Sequence, residues 1–432
     1  MHSMLKTALI TTALILSITG CQNYHPERRT TQAVYHDDAT LDTVLAMGSQ
    51  LIVDGLTAGK DYDEIWIRDF NTFVTQTCDL NGPQTARTCL ITFLQVQEED
   101  GNIADGFKRK GQSTFYEGYH KIHPNRPDTV YYKNTVESDQ ESSLVQAVYK
   151  FITHTNDTSI LNEDVFGETA LARLENSLKF LLIHRYDSTT GLIWGATTVD
   201  WGDVQPENEW AVSLDEDSHR AIDIYDNAMF LIAIDNFIEM ESDPEKQAHW
   251  RSIHKDLHTN IRKHLWDTER QKFIPHLYLD GSPFPEDFDE SQISYHGGTA
   301  IAIEAGLLST EEILASYKQM KKNVSIAAAQ SIGLTVYPIY PEGYFALDLM
   351  KPYSYQNGGD WTWFGARMAS QLARNGFAEE AWEASQPMFD RVIENNGFYE
   401  WYTISGDPMG SGGFRGSAGV LMTLVEDLRQ AQ

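Results

Sequence analysis

Apolar side chains recur at spacings of three and four along nearly the whole chain, while strict alternation is confined to short pieces, so the pattern predicts helices and few strands. In residues 170–182, Ala-Leu-Ala-Arg-Leu-Glu-Asn-Ser-Leu-Lys-Phe-Leu-Leu, the apolar positions share one helix face, and 378–393 does the same after Gly376. Helices are predicted at about 40–56, 69–78, 83–97, 138–156, 167–184, 225–240, 243–266, 297–306, 309–323, 360–375, 377–395 and 415–430. Long connections fall at 98–137, 185–224, 267–296 and 324–359 and are rich in Trp, Tyr, Asp, Gly and Pro. Loops of that length in a compact domain usually carry function. Twelve helices with alternating short and long connections predict an all-α toroid of six helical hairpins, its long loops gathered at one end. A helical repeat array is the alternative, but the sequence shows no fixed period.

The start of the chain departs from this pattern. Met-His-Ser-Met-Leu-Lys leads into an apolar stretch from Thr7 to Thr19 and then Ile18-Thr19-Gly20-Cys21, a basic start and short apolar core that read as a secretory leader too short to span a membrane. Its last four residues resemble a bacterial lipobox, which implies lipidation of Cys21, and Gln22 in place of Asp favours the outer membrane under lipoprotein sorting rules. The alternative is an ordinary leader with an incidental Cys. The expected organisation is a leader over 1–20, a polar tether over 21–40 and one domain over 41–432. A monomer held by a lipid anchor in the cell envelope, facing the periplasm or the outside, is expected.

A formal charge of −29 argues against nucleic acid or an anionic membrane surface as partner and is compatible with a neutral glycan, although solubility alone accounts for it. Besides Cys21, the cysteines are Cys78 and Cys89, flanking Asp-Leu-Asn-Gly-Pro, and in an oxidising compartment they are expected to form a disulfide clamping two helices. No metal site is expected, because no His or second Cys pair completes one, and no cofactor is implied.

Two carboxylate-bearing, aromatic-flanked segments stand out, Val-Asp-Trp-Gly-Asp at 199–203 and Phe-Tyr-Glu-Trp-Tyr at 398–402. Inverting hydrolysis of a glycosidic bond needs one protonated carboxyl at the leaving oxygen and one carboxylate behind a water on the opposite face. Aromatic neighbours stack on sugar C–H faces and raise a carboxyl's pKa. Asp or Glu beside Trp is also common by chance. At 64–70, Glu-Ile-Trp-Ile-Arg-Asp-Phe sets Trp66, Arg68 and Asp69 at the entry to a helix. Arg and Asp together can grip adjacent hydroxyls as donor fork and bidentate acceptor, or can simply form a helix-start salt bridge.

The 64–70 segment resembles the Trp-x-Arg-Asp of glucoamylases and related six-hairpin glycosidases. Three further segments fit that superfamily in the same order. Val136-Glu137-Ser138-Asp139-Gln140-Glu141 resembles its acidic helix start. Tyr355-Gln356-Asn357-Gly358-Gly359-Asp360-Trp361 is similar to a motif of neutral invertases and inverting disaccharide phosphorylases, with Thr362 where their Pro stands. Tyr399-Glu400-Trp401-Tyr402 with the Gly-rich 410–419 resembles the base Glu and final hairpin of invertases and trehalases. The matches span nearly the whole mature chain. They imply an (α/α)6 catalytic domain, an inverting exo-acting hydrolase of α-glucosidic linkages in oligosaccharides, Glu400 as base, and Asp203 as acid with Asp200 the alternative. Substrate contacts are then expected at Trp66, Arg68 and Asp69; at Glu137, Asp139 and Gln140; at Trp201; at Asn357, Gly358, Gly359, Asp360 and Trp361; and at Tyr399 and Trp401.

A glycoside phosphorylase, which needs no base, and a catalytically silent glycan-binding lipoprotein are the rival readings. Other features read blandly. The stretch 410–419 lacks the Gly-Lys-Ser/Thr of a phosphate loop, and the fourteen His residues form no recognised motif. Asp223 reads as a helix cap with site lining, Asp280 and Asp287 to Glu290 as acidic loops, and Glu207 and Glu209 as outside candidates for the acid.

Overall fold

A computed structural model of the chain describes residues 38–112, 120–209 and 213–431. The expected leader, Cys21 and the tether up to residue 37 lie outside these residues.

Twelve α-helices occupy the described residues: α1 (Ala39–Val53), α2 (Ile67–Leu80), α3 (Pro83–Gln95), α4 (Gln140–Thr155), α5 (Ala170–His184), α6 (Ile224–Met240), α7 (Pro244–His264), α8 (His296–Glu304), α9 (Thr310–Ala327), α10 (Thr362–Arg374), α11 (Ala378–Glu394) and α12 (Arg415–Gln430). Every predicted helix is present. Local chemistry sets their ends. Asp243 caps α7 ahead of Pro244, Ser309 and Glu312 close a capping box on α9, and Asn156 ends α4 in the left-handed conformation.

The even-numbered helices form a closed ring, in which α2 packs on α4, α4 on α6, α6 on α8, α8 on α10, α10 on α12, and α12 on α2. The odd-numbered helices lie outside, each against its hairpin partner or the ring neighbour, and α1 closes the shell against α11 and α12. This is the expected all-α (α/α)6 toroid. Composition follows position. In α10 every residue from Thr362 to Ala373 is buried, whereas the 21-residue α7 buries only Trp250, Leu257 and Ile261, a stripe at spacings of seven and four.

Long connections lead into the even helices, so their side chains gather over the N-terminal mouth of the ring. An antiparallel sheet of short strands at 65–66, 106–109, 129–132 and 121–122 pairs Trp66 with Gly106 and Gly106 with Tyr132. A Cβ at Gly106 would sit 2.5 Å from the Trp66 ring, so only glycine permits this approach. A second apolar cluster, including Val199, Val204, Phe284, Tyr295, Val336 and Tyr340, gives the loops a core of their own.

Cys78 and Cys89 are free buried thiols, not the expected disulfide. Cys78 lies in the last turn of α2, whereas Cys89 lies six residues into α3. At about 1.5 Å of rise per residue the two sit at different depths of the hairpin, and each is packed among apolar side chains.

Candidate active site

A cavity of about 370 Å³ opens at the N-terminal mouth, and Asp203 and Glu400 both line it. Around them stand Trp66, Arg68 and Asp69 from the start of α2, Glu137 ahead of α4, and Trp201 and Trp361. Eight of the expected site residues are therefore gathered in one place, although they come from segments more than three hundred residues apart.

Glu400 is held from two sides. Tyr62 donates its hydroxyl proton to Oε2 at 2.7 Å, and the Ser411 amide donates to the same oxygen at 3.2 Å. Its own amide donates to the Ser411 carbonyl at 3.0 Å, so the segment is pinned to the Gly-rich hairpin. Gly410, at φ 67°, faces this carboxylate so closely that a Cβ would fall 2.5 Å from Oε2. Burial pushes the Glu400 carboxyl up, Tyr62 and Ser411 pull it back, and the charges of Asp203 and Asp61 raise it again. Asp203 receives a hydrogen bond from Gln356 Nε2 at 2.8 Å. Gly202 beside it leaves room for that amide, since a Cβ there would lie 2.4 Å from Gln356 Oε1.

Arg68 is bonded to Glu137 and lies 3.8 Å from Asp139. It is the one Lys or Arg among the described residues lining the cavity, against five carboxyls there, Asp69, Asp105, Glu137, Asp203 and Glu400. Burial, relieved in part by Arg68, pushes Asp69 up to about 8 and Asp105 up to about 6, and it raises Glu137 as well. A carboxyl held neutral near pH 7, as Asp69 is, can donate as well as accept. Buried atoms without a protein partner include Asp69 Oδ1, Asp105 Oδ1, Gln356 Oε1, Trp66 Nε1 and Trp363 Nε1, all on cavity-lining residues. Such groups cost free energy unless a ligand or water meets them, and hydroxyl-rich ligands suit the mixture.

Several expected residues serve structure instead. Asp200 is turned into the fold, where its carboxylate accepts the Gly297 and Gly298 amides at 2.7 Å each and caps α8. Asp139 accepts the Tyr225 hydroxyl behind Arg68, and Gln140 donates to Glu137, so both support the ion pair from outside the cavity lining. Asn357 ties loop backbone at Tyr340 and Met350. Gly358 and Gly359 pack under Tyr353 and Tyr355, and Asp360 pairs with Arg391 and accepts from Ser331. Tyr399 and Trp401 flank Glu400 but face Tyr402 and Tyr355. Glu207 pairs with His219, and Asp223 caps α6 without lining the cavity.

Tyr62, Asp105, Tyr132, Tyr355, Gln356, Trp363 and Phe414 line the cavity without being expected there from the sequence. Tyr355, Gln356 and Phe414 sit inside segments whose pattern marks them out. Asp105 offers only an Asp-Gly pair in a long loop. Its position follows from backbone bonds, Ile67 N–H to the Asp105 carbonyl and Asp105 N–H to the Tyr132 carbonyl, that place it beside Arg68.

No family model and no curated protein matches the chain. Solved structures do. The rhamnosidase from Klebsiella oxytoca with rhamnose bound is 13% identical, with a TM-score of 0.60 over 91% of this chain and 65% of that one. The GH63 mannosylglycerate hydrolase from Thermus thermophilus in complex with glucose is 14% identical, with a TM-score of 0.61 over 89% of this chain and 99% of that one. The same hydrolase in complex with Tris and D-glycerate is 15% identical, with a TM-score of 0.61 over the same shares of the two chains. The chain thus has the six-hairpin fold of these glycosidases.

Proposed function

We propose that the chain is an inverting, exo-acting glycoside hydrolase in which Asp203 protonates the leaving oxygen and Glu400 deprotonates the attacking water. One observation carries this reading: the two carboxyls, distant in sequence, line the same cavity. The glycosidases that share the fold support a sugar substrate. The uncharged character of that substrate is supported by Arg68, whose charge is taken up by Glu137 and Asp139, so an anionic aglycone would meet carboxylates and no free cation among the described lining residues. The α-glucosidic linkage and the exo mode rest on the resemblance of the Trp66-Arg68-Asp69 segment. Lipidation at Cys21, placement in the outer membrane and a monomeric state belong to the same proposal.

A base held by Tyr62 and Ser411 favours water over phosphate as nucleophile, which weighs against a phosphorylase. Two carboxyls in one cavity weigh against a silent binding protein. Proton NMR of fresh digests of α-glucosides, sucrose, trehalose and mannosides tests the reading through the anomer released first. Early β-glucose from an α-glucoside, lost in Glu400→Gln, is the expected result. Retention of the α-anomer, or full turnover by Glu400→Gln, would refute it.

A further inference from the structure

The loop that carries Asp203 is fastened from behind by a buried polar network that no part of the proposed chemistry uses. The Thr198 carbonyl, five residues before Asp203, accepts from His276 Nε2 at 2.8 Å and from the Tyr295 hydroxyl at 3.1 Å. The other ring nitrogen of His276, Nδ1, lies 2.8 Å from Glu290 Oε1. Glu290 in turn accepts the Tyr340 hydroxyl at 2.6 Å and the Tyr278 hydroxyl at 2.8 Å. A neutral imidazole has one donor and one acceptor nitrogen. Here both nitrogens face acceptors, a backbone carbonyl on one side and a carboxylate on the other. The Tyr278 and Tyr295 hydroxyls, 3.1 Å from Nδ1 and 3.3 Å from Nε2, direct their own protons to Glu290 Oε2 and the Thr198 carbonyl, so both hydrogen bonds of the ring exist only when it is protonated.

We propose that His276, as an imidazolium held between Glu290 and the Thr198 carbonyl, is a positioning residue for Asp203, and that loss of its proton loosens the 198–203 loop at alkaline pH. The inference rests on the reading of Asp203 as the acid only in its kinetic part. Every charged or titratable group facing the ring is consistent with it. Burial opposes the charge, but Glu290, Asp223 and the Thr198 carbonyl outweigh it and raise the His276 pKa. Tyr278, Tyr295 and Tyr340 are raised by their own burial and stay neutral, and Lys272, the cation near Glu290, is pushed down to about 8 by burial. The loop has reason to need fastening. Asp200 within it adopts φ 55°, a conformation unfavourable to a residue with a side chain, and Gly202 allows close approach to Gln356. Release of Thr198 would displace Asp203 from Gln356 and from the leaving oxygen, where a shift on the order of 1 Å can cost up to 10²-fold in rate.

The test uses the full chain labelled with ¹⁵N-histidine, with His276→Gln to assign the signal. The expected result is a doubly protonated His276 at pH 7 whose titration midpoint coincides with movement of the Thr198–Asp203 amides. Glu290→Gln, which keeps the shape but replaces one of the two oxygens that accept from His276, Tyr278 and Tyr340 by a donor, is expected to lower that midpoint by about one unit or more. In the kinetic arm, Glu290→Gln is expected to lower kcat roughly tenfold at pH 8 with KM held within about twofold, and to move the alkaline limb down by the same amount as the NMR midpoint. A neutral His276 at pH 7, loop amides that ignore its titration, or an unmoved alkaline limb would each overturn the clamp. A wild-type chain that cleaves no glycoside would refute the proposed function and leave the NMR arm decisive.

Discussion

The two mouths of the same helical ring hold cavities of similar size, about 370 Å³ at the N-terminal end and about 320 Å³ at the C-terminal end, and their chemistry is opposite. At the C-terminal mouth the charged groups find each other within the protein: Arg367 with Glu304, Arg374 with Asp427, and His154 with Asp79. At the N-terminal mouth carboxyls outnumber cations, aromatic rings surround them, and several buried polar atoms lack a protein partner. Helix dipoles explain part of the division. Six inner N-termini favour carboxylates at one mouth, and six inner C-termini favour Lys150, Arg367 and Arg374 at the other. A cavity becomes a candidate site through what it leaves unsatisfied, not through its volume.

Substitutions at the two mouths should separate the readouts. The largest effect is expected from Glu400→Gln, a loss of about 10³-fold in kcat with glycan binding retained. Because the folded pKa of Glu400 is raised, its ionised form costs stability above about pH 4.3, the ordinary Glu value. Glu400→Gln should therefore melt higher than the parent at pH 7, with the gap closing below about pH 4. Melting curves at both pH values check this. Equal melting at pH 7 would mean that Glu400 is not strained in the way its burial implies.

At the opposite mouth, Arg367→Met should leave turnover unchanged and cost about 2–3 kcal/mol, less than a fully buried pair because the Glu304 side chain is 21% exposed. Burial works against ionisation of Glu304, but Arg367, Lys150 and Arg374 more than offset it, so its folded pKa is depressed. The stability from this network is present above about pH 4.3 and is lost as pH falls through the folded value. Urea unfolding of parent and variant should converge in acid, and a fall in turnover would break the division between the mouths.

Asp200→Asn sharpens the comparison within one loop. It should cost about 1–2 kcal/mol by weakening the α8 cap, while lowering kcat far less than Asp203→Asn does. The reverse order would return the acid role to Asp200. Tyr62→Phe should have the smallest effect. It removes a hydrogen bond that favours the Glu400 carboxylate, so the acid limb of kcat/KM should rise by roughly half a pH unit to one unit, with about a threefold loss at pH 5. A limb that stays in place would deny Glu400 the role of base.

Helix count and fold were legible because the inner and outer helices carry patterns that periodicity reads directly, such as the Trp250-Leu257-Ile261 stripe of α7. The pairing of segments 199–203 and 398–402 was legible because each joins a carboxyl to aromatic rings in a Gly-bounded stretch. Asp105 and Tyr62 were not, since their segments have no distinctive pattern and reach the cavity through strand pairing and loop packing. The expected disulfide failed for a related reason. Spacing of eleven residues across a turn says that Cys78 and Cys89 are near in sequence, and only the depth of each along the hairpin decides whether sulfurs meet.

The sequence by itself determined the twelve helices, the location of the long loops and the two carboxyl-bearing segments, because periodicity, caps and residue type act locally. Which of Asp200 and Asp203 faces the cavity, which acids cluster around Arg68, and how His276 and Glu290 brace the loop from behind were decided by tertiary structure. A side chain's direction depends on the backbone amides that claim it. Asp200 is taken by the start of α8, and its neighbour three residues on is left facing the cavity.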